Sequence, residues 1–356
     1  MTARVDALLA AIAERELDAL LVSNVVNVRW LTGFTGSNAA AVVGRDQRRF
    51  VTDFRYLSQA AEQLDAGWER EISSDLLERI AERLPAGRLR LGFDDAHLSV
   101  KLHARLAELV ADDVELVAAG GIVERLRAVK DAGEIEAIRA AARLADAAFE
   151  EVVGAGIVGR TERDVALDLE IAMRRRGAQG PSFAPIVAAG EHGALPHAEP
   201  RDRSIPAGTL VVIDWGAQLD GYASDCTRTV ATGELDPRDR AVYDLVLRAQ
   251  QAALAAVRAG PTGREVDAIA RAIIDGAGHA EHFGHGLGHG VGLEVHEGPR
   301  LSKVGEDSLA AGNVVTVEPG VYVPGAIGVR IEDLVAVTDD GHELLSTIPK
   351  ELRTVD

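Results

Sequence analysis

Four carboxylates in the C-terminal half of the chain lie in segments whose sequences are typical of strands: Asp214, Asp225, Glu318 and Glu332. If these side chains converge, their like charges repel one another or force protonation unless cations neutralise them. Divalent metal ions would neutralise them and would also bring hydrolytic chemistry, because such ions lower the pKa of bound water and polarise a carbonyl group. The residue types therefore point to a dinuclear metallohydrolase.

The first acidic pair flanks a tight-turn sequence. The turn Leu219-Asp220-Gly221 stands midway between Asp214 and Asp225, and an apolar run precedes Asp214. In a tight hairpin we expect Asp214 to pair directly with Asp225, so that the two carboxylates face each other on neighbouring strands. Taken alone, such a pair is more often a solvated edge. The apolar run nevertheless favours a partly buried position for Asp214.

The second acidic pair repeats this symmetry. Glu318 and Glu332 are equidistant from Gly325, which lies in the turn sequence Pro324-Gly325. A second hairpin would bring the two glutamates together. Two hairpins with matched acidic pairs predict a pseudo-symmetric domain that carries one metal-bearing hairpin in each half.

A glycine- and histidine-rich tract offers the nitrogen ligand. Glycines at positions 284, 286, 288, 290 and 292 let the backbone approach a site closely. A flexible loop or an adventitious chelator is the alternative interpretation. One nitrogen among oxygen ligands favours Mn²⁺, Co²⁺ or Fe²⁺ over a structural zinc site. The expected cofactor is a pair of Mn²⁺ ions, with Co²⁺ or Zn²⁺ as alternatives. The candidate residues are His285, His289 and His296, whereas His279 and His282 are predicted surface residues.

Composition excludes several classes of protein. The net charge of −18 argues against nucleic-acid or anionic-membrane partners. No stretch approaches the ~20 apolar residues of a membrane span, and the N-terminus does not resemble a signal peptide. The single cysteine, Cys226, suits a reducing cytosol, so we expect a cytoplasmic protein. Its position beside Asp225 suggests either simple packing or sensitivity to oxidation. A phosphoesterase is disfavoured because no arginine or lysine cluster accompanies the acidic residues.

The order of the predicted elements divides the chain in two. Strands and helices alternate over residues 1–125, which predicts an α/β domain. Over residues 126–356, strands and helix pairs do not alternate strictly, which predicts an α+β domain with an antiparallel sheet.

Six segments carry a resemblance to a known family. WLTGFTGSNAAAVV and VTDFRY resemble a creatinase-type N-terminal domain, and IDWGAQLDGYASDCTRT, HGLGHGVGLEVHE, VVTVEPGVYV and GVRIEDLVAV resemble metal-binding motifs. The chain thus resembles the Xaa-Pro peptidases (prolidase and aminopeptidase P) of the creatinase and methionine aminopeptidase superfamily over essentially its whole length. The resemblance implies a C-terminal pita-bread fold with a pseudo-twofold antiparallel sheet, preceded by a smaller α/β creatinase-like domain.

The resemblance also implies two metal ions and their ligands. Asp214 would bind one ion, and His289 and Glu318 the other, while Asp225 and Glu332 would bridge both. A metal-bridging hydroxide would attack the carbonyl before proline, and Glu318 would shuttle its proton to the proline nitrogen.

Five further residues receive roles from the same resemblance. His197 and His296 would stabilise the developing negative charge, and His285 would lie near the proline end of the substrate. Arg330 would brace the site, with a surface salt bridge as the alternative. Arg300 matches an arginine of prolidases that would pair with the free carboxylate of a dipeptide.

Two aromatic residues and the substrate length stay open. Phe183 and Tyr222 are candidates for an apolar wall against proline, although they could equally be core residues. The substrates would be small proline-containing peptides, cleaved by an Xaa-Pro dipeptidase or alternatively by an aminopeptidase that accepts longer chains. The resemblance implies a homodimer in which the segment 30–38 caps the partner's pocket. A non-catalytic peptide-binding protein is disfavoured because every ligand position is filled.

Overall fold

The computed structural model describes residues 2–356 and divides into two compact units, of which the first ends at Arg127 and the second comprises Ala128–Asp356. No helix in the described residues is long and apolar enough to cross a membrane.

The N-terminal unit is built on one six-stranded sheet in the order β4-β3-β2-β1-β5-β6. Strand β2 is antiparallel to both of its neighbours, and the other pairs are parallel. The strands are β1 (Ala19–Val22), β2 (Ala39–Gly44), β3 (Gln47–Thr52), β4 (Glu69–Ile72), β5 (Leu89–Phe93) and β6 (Val114–Ala118). The helices are α1 (Thr2–Glu14), α2 (Val25–Thr32), α3 (Leu57–Gln63), α4 (Leu76–Glu82), α5 (Val100–Leu109) and α6 (Ile122–Ala128).

The C-terminal unit repeats an order of two helices followed by strands. The first helix pair is α7 (Ala132–Gly154) and α8 (Glu162–Arg175), and the second is α9 (Pro237–Leu254) and α10 (Gly263–Gly276). A reciprocal capping box starts one helix of each pair and satisfies backbone N–H groups there. These boxes are formed by Asp131 with Glu134 and by Thr262 with Glu265.

Every strand pair of this unit is antiparallel. After the first helix pair come β7 (Gly180–Pro181), β8 (Ile186–Ala189), β9 (Leu210–Trp215), β10 (Ala217–Leu219), β11 (Tyr222–Ala223) and β12 (Cys226–Ala231). After the second come β13 (Gly288–Gly290), β14 (Glu297–Leu301), β15 (Val314–Val317), β16 (Gly320–Val323), β17 (Ile327–Arg330), β18 (Asp333–Val337) and β19 (His342–Leu344). An α+β unit with antiparallel sheets therefore confirms the predicted fold class.

Helix α7 supports the strand that carries Asp214. The rings of Phe149 and Trp215 are stacked with centroids 4.1 Å apart, and both side chains are fully buried. The Trp215 indole N–H also donates to the carbonyl of Ala145, 3.0 Å away. Because removing a buried aromatic side chain costs about 3–5 kcal/mol, this contact holds β9 firmly in place.

The register of the first hairpin differs from the predicted one. Asp214 lies opposite Thr227, and Trp215 lies opposite Cys226. The physical reason is the turn: Asp220 and Gly221 both have positive φ, of 49° and 81°, as a two-residue type I′ turn requires. The pairing is centred between these two residues, so the direct pairing of Asp214 with Asp225 was wrong by two residues. Because side chains alternate with a period of two, this shift leaves both carboxylates on one face.

The register of the second hairpin confirms the prediction. Val317 pairs with Asp333 and Gly320 pairs with Arg330, so pairing is centred on Gly325. Glu318 and Glu332 lie opposite each other at the break between the two strand pairs. The Glu332 N–H donates to the carbonyl of Thr227, and this bond joins the second hairpin to the first.

Candidate metal centre

Three of the predicted acidic ligands form one cluster. Asp214, Asp225 and Glu332 each offer an oxygen atom, and these atoms all lie within 4.8 Å of one another. Asp214 comes from β9, Asp225 immediately precedes β12, and Glu332 immediately precedes β18. Carboxylates from both hairpins therefore meet at one point.

The other two predicted ligands stand beside this cluster. Nε2 of His289, on β13, lies 3.6 Å from Oδ2 of Asp225 and 3.2 Å from Oε1 of Glu318. The backbone approaches closely here, because a Cβ at Gly288 would lie only 2.0 Å from the carbonyl oxygen of Thr316. A glycine at this position is what lets β13 place His289 beside the acidic residues.

Burial and like-charge repulsion oppose ionisation of the clustered carboxylates, and bound cations would offset both effects. Burial raises the pKa of Asp225 well above its ordinary value, and the neighbouring Glu332 carboxylate raises it further. Burial likewise raises the pKa of Glu332, and Glu318 adds to that effect. For Glu318 burial also opposes ionisation, but the hydrogen bond and the charge of His289 lower its pKa to about 2. A cluster of buried carboxylates therefore keeps all its negative charges only when positively charged partners lie beside it.

Two buried oxygen atoms identify where a cation fits. Oδ1 of Asp214 and Oε1 of Glu332 have no hydrogen-bond partner within residues 2–356. Buried polar atoms normally have partners, so these orphaned oxygens suit a bound ion. Carboxylate oxygens with one imidazole nitrogen form a donor set that divalent ions such as Mn²⁺, Co²⁺ and Zn²⁺ accept.

Arg330 is a buried brace, not a surface residue. Its Nη2 donates to Oδ2 of Asp214 at 2.6 Å, and its Nε donates to the hydroxyl of Thr227 at 3.0 Å. Thr227 in turn donates to Oε2 of Glu332 at 2.8 Å. One guanidinium therefore orients ligands from both hairpins.

A second chain of hydrogen bonds leads from Arg330 to a histidine. Nη1 of Arg330 donates to the Tyr322 hydroxyl at 2.9 Å, and that hydroxyl is 3.0 Å from Nε2 of His285. Tyr322 and Thr227 were missed by the sequence analysis. Strand alternation was a usable signal for both, because Tyr322 is four residues after Glu318 and Thr227 is two residues after Asp225.

A cavity of about 440 Å³ opens onto the cluster. Burial lowers the pKa of His285 on its wall, so the neutral imidazole is favoured there. The exposed ring of His296 packs edge-on against His289, with centroids 4.3 Å apart. The sequence-predicted residues that line this cavity are Phe183, His197, Asp214, Asp225, His285, His289, His296, Glu318 and Arg330.

Three other residues lie elsewhere. Tyr222 does not line the cavity: its hydroxyl donates to Glu134 of α7, and its ring packs on the core beside Ile138. Of the two positions left open for Tyr222, these contacts fit the core position. Arg300 is exposed and outside the cavity lining, although it pairs with His289 across β13 and β14. Cys226 is buried, and burial raises the pKa of its thiol well above the usual value, which disfavours the reactive thiolate.

Comparison with known proteins places the chain in a family. Residues 136–339 match metallopeptidase family M24, and residues 4–129 match the creatinase/prolidase N-terminal domain. The chain belongs to metallopeptidase family M24. It is 35% identical over 354 residues to an Xaa-Pro dipeptidase of Pyrococcus furiosus, covering 99% of this chain and 100% of that relative.

Solved structures of this family share the fold. An Xaa-Pro dipeptidase from Bacillus anthracis is similar with a TM-score of 0.94 at 37% identity, covering 99% of each chain. An X-Pro aminopeptidase from Thermotoga maritima is similar with a TM-score of 0.88 at 36% identity, covering 96% of this chain and 98% of that one. These matches confirm the pita-bread fold preceded by a creatinase-like domain. As a member of family M24, this protein is a metallopeptidase that uses divalent metal ions.

Proposed function

We propose that this protein is an Xaa-Pro dipeptidase that hydrolyses the bond before proline with two divalent metal ions, of which Mn²⁺ is the expected one and Co²⁺ or Zn²⁺ are alternatives. The observation that carries the proposal is the convergence of five side chains beside one cavity: Asp214, Asp225, His289 and Glu318 line the cavity, and Glu332 joins Asp214 and Asp225 in the acidic cluster. The M24 relatives named as Xaa-Pro dipeptidases support the choice of substrate.

These five side chains would hold the ions. Asp214, Asp225, Glu318 and Glu332 would offer carboxylate oxygens and His289 an imidazole nitrogen, which are donors that divalent ions accept. When bound, the ions would lower the pKa of water to yield a hydroxide nucleophile and would polarise the scissile carbonyl.

The protein's own groups would handle protons and charge. Glu318 would accept the proton of the attacking water and deliver it to the proline nitrogen as the peptide bond breaks. His197 and His296, which both line the cavity, would donate hydrogen bonds to the oxygen that becomes negatively charged. Arg330 would act indirectly, by fixing the orientation of Asp214.

The apolar end of the cavity would accept proline. Phe183, Pro185 and Ile186 line the same cavity and offer a surface for the pyrrolidine ring. His285, whose ring is fixed by the Tyr322 hydroxyl and by the carbonyl of Gly286, would bound this end.

Arg300 would set the length of the substrate. Directly paired residues of antiparallel strands project to the same face, so Arg300 shares its face with His289. Its side chain makes no hydrogen bond or ion pair with any part of the chain that the structure describes, and the guanidinium is free to pair with a carboxylate that follows proline. The alternative is an Xaa-Pro aminopeptidase, which the similarity to the T. maritima structure supports.

The test compares Ala-Pro with Ala-Pro-Ala. Metal-stripped protein resupplied with Mn²⁺, Co²⁺ or Zn²⁺ should cleave the dipeptide in preference. Arg300→Met should then raise KM for Ala-Pro by roughly 10-fold or more, as expected for a lost charge-assisted pair of about 1.5–3 kcal/mol. The matched control is Lys303→Met, which removes another exposed positive charge from the neighbouring segment.

The two outcomes separate the alternatives. Strong cleavage of Ala-Pro-Ala, with KM unchanged in Arg300→Met, would transfer the assignment to aminopeptidase. No cleavage of either peptide with any metal would refute the peptidase mechanism. A homodimer, with segment 30–38 near the partner's cavity, stays a prediction that ultracentrifugation can check. A domain division between residues 125 and 126 stays a prediction that limited proteolysis can check. The cytoplasmic location also stays a prediction.

A further inference from the structure

A fully buried carboxylate outside the metal cluster has no part in the mechanism above. Glu162, the first residue of α8, has no exposed surface, and its partner His192 is 2% exposed. Burying an acidic side chain is costly unless hydrogen bonds compensate for the loss of water. The contacts of Glu162 show what it does.

Glu162 accepts three hydrogen bonds from one loop. Oε1 accepts from the N–H of Ala189 at 2.8 Å, and Oε2 accepts from the N–H of Arg201 at 3.0 Å. Nδ1 of His192 lies 2.8 Å from Oε2, and because a carboxylate only accepts, this nitrogen carries the hydrogen. One carboxylate therefore ties together the beginning, the interior and the end of the segment 189–201, which we call the His197 loop.

The His197 loop forms a wall of the candidate active site. Its residues 196–200 line the cavity of about 440 Å³, and they include His197. Inside the loop, the Leu195 N–H bonds to the carbonyl of His192, and the Ala198 N–H bonds to the carbonyl of Leu195. The exposed His197 thus depends on anchors elsewhere in the loop for its position.

A second anchor comes from the metal-bearing hairpin. A Cβ at Gly328 on β17 would lie 1.7 Å from the carbonyl oxygen of Gly193, so the two backbones are in direct contact. Two residues further along the same strand, Arg330 donates to the carbonyl of Pro196 at 3.1 Å. With Glu162 on one side and β17 on the other, the loop is fixed relative to the metal ligands.

We propose that Glu162 is a positioning residue, which uses its three hydrogen bonds to the His197 loop to hold His197 at the carbonyl of the substrate. This proposal rests on the proposed function, because it deepens the role given there to His197. Glu162 itself contacts neither the metal ligands nor the cavity. Its removal should consequently weaken the chemical step without removing metal ions.

The test uses Glu162→Gln, which keeps the size of the side chain but presents an NH₂ group to donors. At least one of the three hydrogen bonds must be lost. We expect kcat to fall roughly 10- to 100-fold, because a displacement of His197 by about 1 Å can cost that much in rate. KM and metal content should change little. Asp94→Asn is the matched control, since Asp94 is also buried and accepts two backbone N–H groups, but in the N-terminal unit.

A double-mutant cycle tests whether the effect passes through His197. Glu162→Gln combined with His197→Ala should be no slower than His197→Ala alone, because a displaced loop cannot harm a histidine that is absent. Losses that multiply would overturn the proposal. His192→Leu, whose side chain cannot donate to Glu162, removes one of the three bonds. It should give a smaller loss than Glu162→Gln and serves if the glutamine variant folds poorly.

Hydrogen exchange supplies a readout that needs no activity. In Glu162→Gln, amide exchange should accelerate in the His197 loop while α8 and the strands beside the metal cluster stay protected. An unchanged loop would refute the anchoring, even if activity fell. If wild-type protein cleaves no Xaa-Pro peptide but the loop loosens as expected, the anchoring stands and the proposed function fails.

Discussion

The close contact between Gly328 and the His197 loop gives a prediction with a calculable size. Gly328 has no positive φ, so only the space around it forbids a larger residue. An alanine Cβ would lie 1.7 Å from the Gly193 oxygen and 2.3 Å from its carbonyl carbon. Ordinary non-bonded carbon contacts are about 3.5 Å, so the two backbones would have to separate by well over 1 Å.

Gly328→Ala should therefore be more harmful than a usual overpacking substitution. Inserting a methyl group into a packed interior typically costs 1–3 kcal/mol, and here neither partner is a side chain that could rotate away. We expect a loss of about 3 kcal/mol or more in the free energy of unfolding, measured by urea denaturation. kcat for Ala-Pro should fall as well, because the displacement separates Arg330 from Pro196 and moves the His197 loop.

Gly276→Ala is the control for this prediction. Gly276 is the last residue of α10, and a Cβ there meets nothing within 4 Å. Its replacement by alanine should leave stability unchanged or raise it by up to about 1 kcal/mol. If Gly328→Ala unfolded within about 0.5 kcal/mol of wild type, the close approach of β17 to the loop would be refuted.

Two further predictions concern acidic groups. Burial raises the pKa of Asp94 from 3.8 to about 6, so the folded state binds the proton more tightly and stability should fall by about 3 kcal/mol as the pH rises from about 4 through 6. Asp94→Asn should flatten this fall in urea midpoints measured across that range, and an unaltered pH profile would contradict the assignment. Chelation of metal should lower the melting temperature, because the carboxylates of Asp214, Asp225 and Glu332 then repel one another; Mn²⁺ should restore it. Asp225→Asn should regain little on adding Mn²⁺, and a full recovery in that variant would count against the cluster as the metal site.

The comparison of the two hairpins shows how far local sequence specifies pairing. The symmetric placement of Glu318 and Glu332 about Gly325 gave the correct register, because the turn itself centres the pairing. In the first hairpin the dipeptide Asp220-Gly221 carried the correct signal, and centring on those two residues alone gives the observed register. The predicted register was wrong because it was centred on the three residues Leu219-Asp220-Gly221 and not on Asp220-Gly221 alone.

Strand alternation bears on the two positions left open for Tyr222, the cavity wall and the core. Tyr222 is an odd number of residues before Asp225, so regular alternation places the two side chains on opposite faces. In the structure Tyr222 faces α7 and bonds to Glu134, whereas Phe183 lines the cavity.

The sequence by itself determined the types and the spacing of the candidate metal ligands, because strand alternation and turn chemistry act over a few residues. It also determined the class of fold, through the order of helices and strands. Only the tertiary structure decided that Arg330 reaches Asp214 from 116 residues away in the chain and that Glu162 holds the His197 loop from 39 residues before Arg201. Such long-range contacts depend on how whole helices and strands pack, and no local pattern of residues encodes which buried charge will meet which partner.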